Sequence, residues 1–198
     1  GDAEGAMNLL QQMIDDTYLG KIIAAGCVTT GRIFGVRRVP AVKGQGMAAY
    51  EPRAIKGNGV TYMTSPMGAD HTAGNTIKAN VKHHLKDNQA VASEMAQLDT
   101  NLLDGLGLCI FVGGFLKGKR EVLVRLINSY RNWNLSLKDF EDMAFNIMKT
   151  ETIFNRQAGF TKADDVLPEF FYDEENPSSG SRFDVNQEDL KEMAFYKW

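Results

Sequence analysis

The sequence predicts a mainly α-helical fold made of irregular helical domains. Apolar residues recur about every 3.6 positions in several stretches, as they do along one face of a helix. Alternation of apolar and polar residues, the pattern of a half-buried strand, never extends beyond a few positions. The chain has 198 residues, of which 43% are hydrophobic, and this is enough for a core in one or two domains.

The first predicted element is an amphipathic helix over residues 6–25. Its apolar positions follow helical spacing from Met7 to Ala25, and Gly26 stands where a C-terminal cap would. Residues 27–60 follow, with frequent glycines and with Pro40 and Pro52. This density of chain breakers predicts irregular backbone, which either covers another part of the protein or is plain surface.

Three further helices are predicted in the second half, over about 88–103, 119–131 and 136–157. The first is expected to stop at Gly105, and the third begins with a capping pattern, Ser136 followed three residues later by Asp139. The acidic and polar segment 172–189 predicts a mobile surface loop, and a last short helix is expected over about 187–195.

Charge and cysteine content exclude several classes of protein. The net charge of −3, from 22 basic and 25 acidic residues, gives no field that would attract nucleic acid or an acidic membrane surface. No apolar run approaches the length of a bilayer span. The two distant cysteines suggest a reducing, cytoplasmic setting. The chain opens without an initiator methionine or a signal-peptide pattern, as a fragment of a longer polypeptide would.

The stretch 64–74 holds the first candidate for chemistry, His71. Small and polar neighbours such as Gly68, Asp70 and Gly74 allow a ligand to approach an imidazole whose pKa can be tuned. The alternative is a turn histidine that caps the next helix. The other two histidines, His83 and His84, lie in a lysine-flanked, helix-like stretch and are expected to be solvated surface.

A second candidate is the basic pair Arg53 and Lys56. These side chains could bind a phosphate or another anion, since arginine offers a bidentate fork. A solvated basic turn balanced by Glu51 explains the same residues equally well.

The third candidate is the segment Asp104–Cys109. Asp104 could accept hydrogen bonds from the N–H groups of a heterocycle, and the amides of Gly105 and Gly107 could donate to cluster sulfurs near Cys109. One thiolate cannot hold an iron–sulfur cluster, which needs about four. Either Cys109 is an inert apolar thiol, or further cysteines lie outside this chain, because Cys27 has no spaced partner.

Together these motifs resemble the C-terminal part of the tungsten-containing aldehyde ferredoxin oxidoreductases. The match runs in order along nearly the whole chain, after an opening helix that resembles the segment before the family's active site. The matching segments are E-P-R-A-I-K-G (51–57), V-T-Y-M-T-S-P-M-G-A-D-H (60–71), D-G-L-G-L-C (104–109), E-T-I-F-N-R-Q-A-G-F (151–160) and D-D-V-L-P (164–168).

The resemblance implies a role for each matching site residue. Asp104, with Gly107 and Leu108 of the same motif, would bind one of two pterins that hold tungsten or molybdenum through dithiolene sulfurs. Cys109 would be one ligand of a [4Fe–4S] cluster. His71 would lie near the metal and exchange a proton with the carbonyl substrate. Arg53 and Lys56 would be contacts on the cofactor side.

The resemblance also implies an activity, partners and a division into domains. The whole enzyme would oxidise an aldehyde to a carboxylic acid and pass electrons to ferredoxin, and a homodimer is expected. Residues 1–60 would end a middle helical domain and include the glycine-rich connection, and residues 61–198 would form a C-terminal helical domain. These domains would pack behind an N-terminal β domain that covers the pterins.

Several family features are absent from this chain. It lacks the three clustered cysteines (C-x-x-C-x-x-x-C), the first pterin motif (D-x-x-G-L-D) and the N-terminal β domain, and Thr152 stands where arginine is common. The missing N-terminal region of the same polypeptide is therefore an expected partner, and the chain alone would be an inactive part.

Other hypotheses remain open at this stage. One is a cofactor-free helical binding domain that kept an enzyme's fold, and another is a family member that reduces aromatic thioesters. A third is an unrelated enzyme in which Asp70 and His71 act as an acid–base pair, although neighbours in sequence rarely face one site in regular structure.

Overall fold

Helices account for most of the ordered backbone, so the predicted mainly α fold is confirmed. The computed structural model describes residues 1–113 and 118–196. Its helices are α1 (Ala3–Ile14), α2 (Tyr18–Ala24), α3 (Cys27–Ile33), α4 (Lys56–Thr64), α5 (Gln89–Gly105), α6 (Arg120–Arg131), α7 (Leu137–Gln157) and α8 (Phe170–Asp173), with 3₁₀ helices η1 (Ile110–Val112) and η2 (Asp189–Glu192). Strands β1 (Ala41–Val42) and β2 (Gln45–Gly46) form a small antiparallel hairpin.

The predicted helix over residues 6–25 is in fact two helices, α1 and α2, folded into a hairpin. The chain turns at Asp16, which adopts a positive φ of 55°, and Thr17 caps α2 by accepting a hydrogen bond from the Gly20 amide. A Cβ atom at Gly20 would lie 1.9 Å from the Gln12 carbonyl oxygen, so only glycine permits this contact. The apolar residues keep their helical spacing across this turn, so the sequence pattern does not reveal it. Gly26 follows the end of α2 with φ 90°, as its predicted capping position requires.

The prediction of irregular backbone over residues 27–60 is wrong at both ends of that segment, where α3 and α4 lie. Helix α4 is buried at all nine positions and therefore shows no apolar stripe. Its glycines allow close packing: a Cβ at Gly57 would lie 2.5 Å from the Thr76 hydroxyl, and one at Gly59 would lie 2.4 Å from the Phe183 ring. The glycines of α4 predict a loop from sequence. In the structure they instead allow close contact between elements.

The main core surrounds α4 and includes residues close to the end of the chain. Val60, Tyr62 and Met63 of α4 pack with Phe183 and Val185, whose exposed fractions are only 2% and 1%. The predicted surface loop over 172–189 is therefore wrong at Phe183 and Val185, which belong to the core. The last predicted helix shortens to the 3₁₀ helix η2.

A second, smaller core joins α5, α6 and α7. Its buried members are Leu102, Leu123, Val124, Phe140 and Ala144. The three predicted helices of this half are confirmed, with ends that agree within about two residues. The capping box at the start of α7 is also confirmed, since both of its reciprocal hydrogen bonds form.

Two other predictions bear on the layout. His83 and His84 lie in turns rather than in a helix, and His83 is half-buried, so the expectation of a helical, fully solvated pair is wrong. The domain boundary expected at residue 60 stays a prediction, and that residue lies inside α4. Within residues 1–113 and 118–196, no helix is both long and apolar enough to cross a bilayer.

The burial of the C-terminal segment can be tested by cutting back one ring. We expect Phe183→Ala to destabilise the fold by about 3–5 kcal/mol, the usual cost of removing a buried phenylalanine. The matched change Phe154→Ala removes a ring that is 68% exposed and should alter stability by less than about 1 kcal/mol. Denaturant unfolding of both variants measures the difference, and equal effects would place Phe183 outside the core.

Candidate active site

A buried polar network joins the turn that holds His71 to helix α5. The Thr61 hydroxyl donates to the Gly74 carbonyl at 2.8 Å, and its oxygen lies 2.7 Å from the Ser93 hydroxyl on α5. The Gln97 amide nitrogen donates to the Ser93 and Thr64 hydroxyls, at 3.0 and 2.8 Å. Such buried groups are costly without partners, so their mutual bonds fix α4, the turn and α5 at one spacing.

Gly74 brings the turn directly onto α5. A Cβ atom at this position would lie 2.6 Å from the Gln97 side chain and 2.8 Å from its backbone nitrogen. Any other residue would push the two segments apart. The glycine of the sequence motif thus has a packing role, and it lies three residues after His71 in the turn.

His71 is held against one aromatic ring and is open on its other side. Its imidazole stacks on Tyr50, with ring centroids 5.2 Å apart and planes inclined by 27°. Its Nδ1 atom lies 3.8 Å from the Asp70 carboxylate, which also accepts hydrogen bonds from the Thr72 amide and hydroxyl. The side chain is 39% exposed, so the ring is oriented yet accessible.

Tyr62 supports this arrangement from the buried side. Its side chain is fully buried, and burial raises the pKa of Tyr62 to about 12, with the charges of Tyr50 and Asp70 adding to the rise. The phenol therefore stays protonated near the His71 turn. No sequence pattern marked Tyr62 or Tyr50 as a member of the site. Tyr62 lies within a matching segment, and Tyr50 immediately precedes one.

Asp104 lies in the last turn of α5, close to the same turn. Partial burial raises the pKa of its carboxyl group, and the negative charge of Asp70 raises it further. Burial raises the pKa of Glu151 on α7 as well, and the charge of Asp104 adds to this. Asp104 has no hydrogen-bonding partner among the described residues, so its carboxylate is a free acceptor. The fold therefore brings Asp104 within electrostatic range of both Asp70 and Glu151.

The segment Asp104–Cys109 ends α5 with a Schellman motif. Gly107 has φ 67°, its amide donates to the Asp104 carbonyl at 2.9 Å, and the Leu108 amide donates to the Leu103 carbonyl at 2.8 Å. Helix α5 ends at Gly105, as predicted, and the left-handed residue that closes the cap is Gly107. The Gly107 amide is used in this cap, so the expectation that it is free to donate to sulfur is wrong.

Cys109 follows this cap and is exposed. Phe111 and Val112 next to it are exposed too, by 84% and 37%. Within the two described ranges, no group of three histidine, cysteine or acidic side chains could hold a metal ion. The exposure of Cys109 contradicts a buried apolar thiol, and the described residues supply one cysteine at this place.

Arg53 and Lys56 lie elsewhere, in the core rather than on a solvated turn. Arg53 forms a bidentate ion pair with Glu51 and donates to the Glu174 carbonyl, and Lys56 pairs with Asp184 at 2.6 Å. Both cations are nearly fully buried. Their contact with a cofactor stays a prediction. Arg53 holds the C-terminal segment through the Glu174 carbonyl, and Lys56 holds it through Asp184.

The raised pKa values make a prediction about stability. The folded state of the cofactor-free protein holds the protons of Asp104 and Glu151 more tightly than the unfolded state does. Its stability therefore falls as pH rises from about 4, the unfolded value, through the folded pKa values. We expect Asp104→Asn to raise the melting temperature at pH 7, and we expect this gain to shrink as pH falls towards about 4.

The control for that experiment is Glu192→Gln, which neutralises an exposed carboxylate on η2. It should leave the melting temperature nearly unchanged at both pH values. A gain from Asp104→Asn that persisted unchanged at low pH would show that the charge of Asp104 is not its cause.

Comparison with known proteins places the chain in a family. The family model described as aldehyde ferredoxin oxidoreductase, domains 2 & 3, matches residues 1–197. The chain is 28% identical over 190 residues to the tungsten-containing aldehyde ferredoxin oxidoreductase of Pyrococcus horikoshii, covering 90% of this chain and 31% of that protein. It is 29% identical over 209 residues to the protein of the same name from Pyrococcus furiosus, covering 100% of this chain and 34% of that protein.

The chain thus spans about a third of the length of the curated relatives it matches. The matched region includes the His71 turn, the Schellman cap at Asp104–Cys109 and the C-terminal segment that completes the core. With one family model covering almost every residue, the chain belongs to the aldehyde ferredoxin oxidoreductase family.

Proposed function

We propose that this chain is the C-terminal helical part of an oxidoreductase that oxidises aldehydes to carboxylic acids and transfers the electrons to ferredoxin. The observation that supports this best is the placement of Asp104 and Cys109 at the capped end of α5, electrostatically coupled to the turn that presents His71. The names of the relatives, which are tungsten-containing and ferredoxin-dependent, give the proposal its metal and its electron acceptor.

The described residues fit one side of a pterin and cluster site. Asp104 offers a carboxylate without a partner among them, which suits the N–H donors of a pterin ring. Cys109 offers an exposed thiol, and the exposed apolar side chains beside it suit a surface that another part of the protein covers. Gly107 and Leu108 would form the pterin-side wall through the shape of the cap.

The rest of the site must come from outside this chain. A [4Fe–4S] cluster needs about four thiolates, and Cys109 supplies one. The relatives are about three times as long as this chain, and their remaining length offers room for the other ligands. We therefore propose the missing N-terminal region of the same polypeptide as the first partner of this chain.

His71 is the group we assign to proton transfer. Stacking on Tyr50 fixes the plane of the ring, and the Asp70 carboxylate occupies the side of Nδ1, 3.8 Å away. The atom left to face a substrate is then Nε2, which can accept a proton or return one. Protonated Tyr62 beneath the turn keeps this side of the site free of an additional negative charge.

The overall reaction balances with water as the source of oxygen. One aldehyde and one water give one carboxylic acid, two protons and two electrons. When bound, a tungsten bis-pterin supplies the two-electron redox change, and a [4Fe–4S] cluster passes the electrons on singly. His71 would take up one of the protons at Nε2 and release it to solvent through its exposed edge.

The same proposal includes a reducing, cytoplasmic setting. Both cysteines are free and exposed, and thiols of this kind persist where glutathione and thioredoxin keep them reduced. Ferredoxin and an aldehyde complete the set of proposed partners.

Metal analysis of the whole protein, purified without oxygen, tests the proposed cofactors first. We expect tungsten and about four irons per chain. Cys109→Ser should lose most of the iron, because a serine hydroxyl is a poor substitute for a thiolate ligand. The matched variant Cys27→Ser removes the other exposed cysteine and should keep the full iron content.

The possible metal contents separate the alternatives. Molybdenum in place of tungsten would keep the pterin site and change its metal. A folded protein without tungsten, molybdenum or iron would contradict the proposal and favour the cofactor-free helical domain. Equal iron content in the two cysteine variants would remove Cys109 from the cluster.

The role of His71 is tested by turnover of an aldehyde with reduced ferredoxin as the measured product. We expect His71→Ala to lower kcat by about 10²–10⁴, the usual contribution of a general acid or base. Tungsten and iron contents should not change, since the imidazole is assigned to the proton and not to metal binding. His84→Ala, on an exposed turn, should retain full turnover. Normal kcat in His71→Ala would refute the assignment.

A further inference from the structure

The tip of the small hairpin holds a buried lysine where a small, flexible residue is usual. Strands β1 and β2 are joined by Lys43 and Gly44 alone, and both have positive φ, 52° and 82°. A two-residue turn of this kind favours asparagine, aspartate or glycine at its first position, because other residues are strained there. Since lysine is a poor choice for the backbone, its side chain must compensate for the strain.

The Lys43 side chain joins three segments inside the protein. Its ammonium group lies 2.6 Å from the Asp165 carboxylate and donates to the Met63 carbonyl at 2.5 Å. The other oxygen of Asp165 accepts a hydrogen bond from the Tyr196 hydroxyl at 2.7 Å. Lys43 and Asp165 are each only 5% exposed at the side chain. Burial lowers the pKa of Lys43, and the charge of Asp165 opposes this.

The buried triad of Lys43, Asp165 and Tyr196 also explains why the D-D-V-L-P segment has two neighbouring acids. Asp164 accepts hydrogen bonds from the Thr161 amide and hydroxyl and so closes a surface turn. Asp165 points inward to Lys43 and Tyr196. The two carboxylates therefore do different things, and only the second is part of the buried triad.

The hairpin that Lys43 anchors is packed directly against the turn that leads to His71. A Cβ at Gly68 would lie 2.3 Å from the Val42 carbonyl oxygen, and the Ala69 amide donates to that same oxygen at 3.4 Å. Met63, the acceptor of the Lys43 ammonium, belongs to the last turn of α4, just before this turn begins. On the other side, the Asn155 amide of α7 donates to the Pro66 carbonyl at 2.8 Å.

We propose that Lys43 is a positioning residue for His71. Its ammonium, fixed by Asp165 and Tyr196, ties the hairpin to the end of α4 and so fixes the turn over residues 65–71 in the conformation that presents the imidazole. The importance of this for turnover rests on the proposed role of His71. The placement of the ring itself does not depend on that role, so the two can be tested separately.

The test uses the whole, metal-loaded protein and the variant Lys43→Met, which keeps the length of the side chain and removes its charge. The first readout is exchange of the imidazole C2 proton for deuterium, followed by mass spectrometry for each histidine separately. We expect exchange at His71 to become at least about threefold faster as the turn loosens, while exchange at His84 stays unchanged. The second readout is kcat, which should fall about 10- to 100-fold with metal content retained.

Three further variants separate positioning from a general loss of stability. Leu123→Ala weakens the second core, far from the hairpin in the chain, and should lower the melting temperature without changing His71 exchange or kcat. Lys43→Arg keeps the charge and should restore most of both readouts. Tyr196→Phe removes one hydrogen bond to Asp165 and should give an intermediate increase in exchange.

The outcomes discriminate clearly. Lys43→Met that melts earlier but exchanges at His71 like Leu123→Ala would overturn the proposal and leave the triad purely structural. If Lys43→Met does not fold, Tyr196→Phe decides, and exchange equal to that of the unchanged protein would overturn the proposal. If His71→Ala keeps normal turnover while Lys43→Met speeds exchange, the assignment of His71 fails and the positioning by Lys43 stands.

Discussion

The contact between α4 and α5 is the constraint on which the rest of the site depends. These helices meet through hydroxyl and amide groups of Thr61, Ser93 and Gln97 as well as through apolar residues of the main core. A hydrophobic contact tolerates sliding, whereas a chain of directional hydrogen bonds in a low dielectric has one register. That register sets the distance between the His71 turn, which follows α4, and Asp104, which lies in the last turn of α5. In the function proposed above, this is the distance between the proton-transfer group and the pterin-binding carboxylate.

Buried cations form a second layer of order around α4. Lys43, Arg53 and Lys56 all come from the first third of the chain, and all three contact acceptors in the segment from Asp165 to Asp184. A buried ion pair contributes little net stability, but removing one partner leaves an uncompensated charge and is strongly destabilising. Lys43–Asp165 is a pair of this kind, while Lys56 pairs with the exposed Asp184 and Arg53 donates to a backbone carbonyl. Together these contacts specify where the C-terminal segment lies. They give that segment, which is polar and proline-containing, a single path through the core.

The long helices could be predicted from sequence because their apolar faces repeat along an exposed surface. Helix α7 shows this best, since Ser136 and Asp139 mark its start and a regular period continues to its end. Helix α4 could not be predicted for the opposite reason, because every face is buried and its glycines signal a loop. The burial of Phe183 and Val185 was equally invisible, because polar neighbours dominate the local composition and only distant contacts cover these side chains.

The residues of the candidate site could likewise be predicted only in part. Motif order pointed to His71, Asp104 and Cys109, and the fold brings the first two into one electrostatic environment. Arg53 and Lys56 show the limit of such reasoning, since charge at a suitable place in a motif does not reveal whether it faces a ligand or the interior. Lys43 had no sequence signal except its place before a glycine, and only its backbone conformation and its burial make it visible.

The Schellman cap at the end of α5 has a consequence for how this motif can change in evolution. Asp104, Gly107 and Leu108 occupy fixed places in a hydrogen-bonded ring, so the interval between the carboxylate and the Cys109 thiol is set by backbone geometry. Residues 105 and 106 can vary in identity, but their number cannot change without rotating the thiol away from the carboxylate. The D-G-L-G-L-C motif is therefore constrained in length as well as in residue type. Substitutions within it are tolerated far more easily than insertions or deletions.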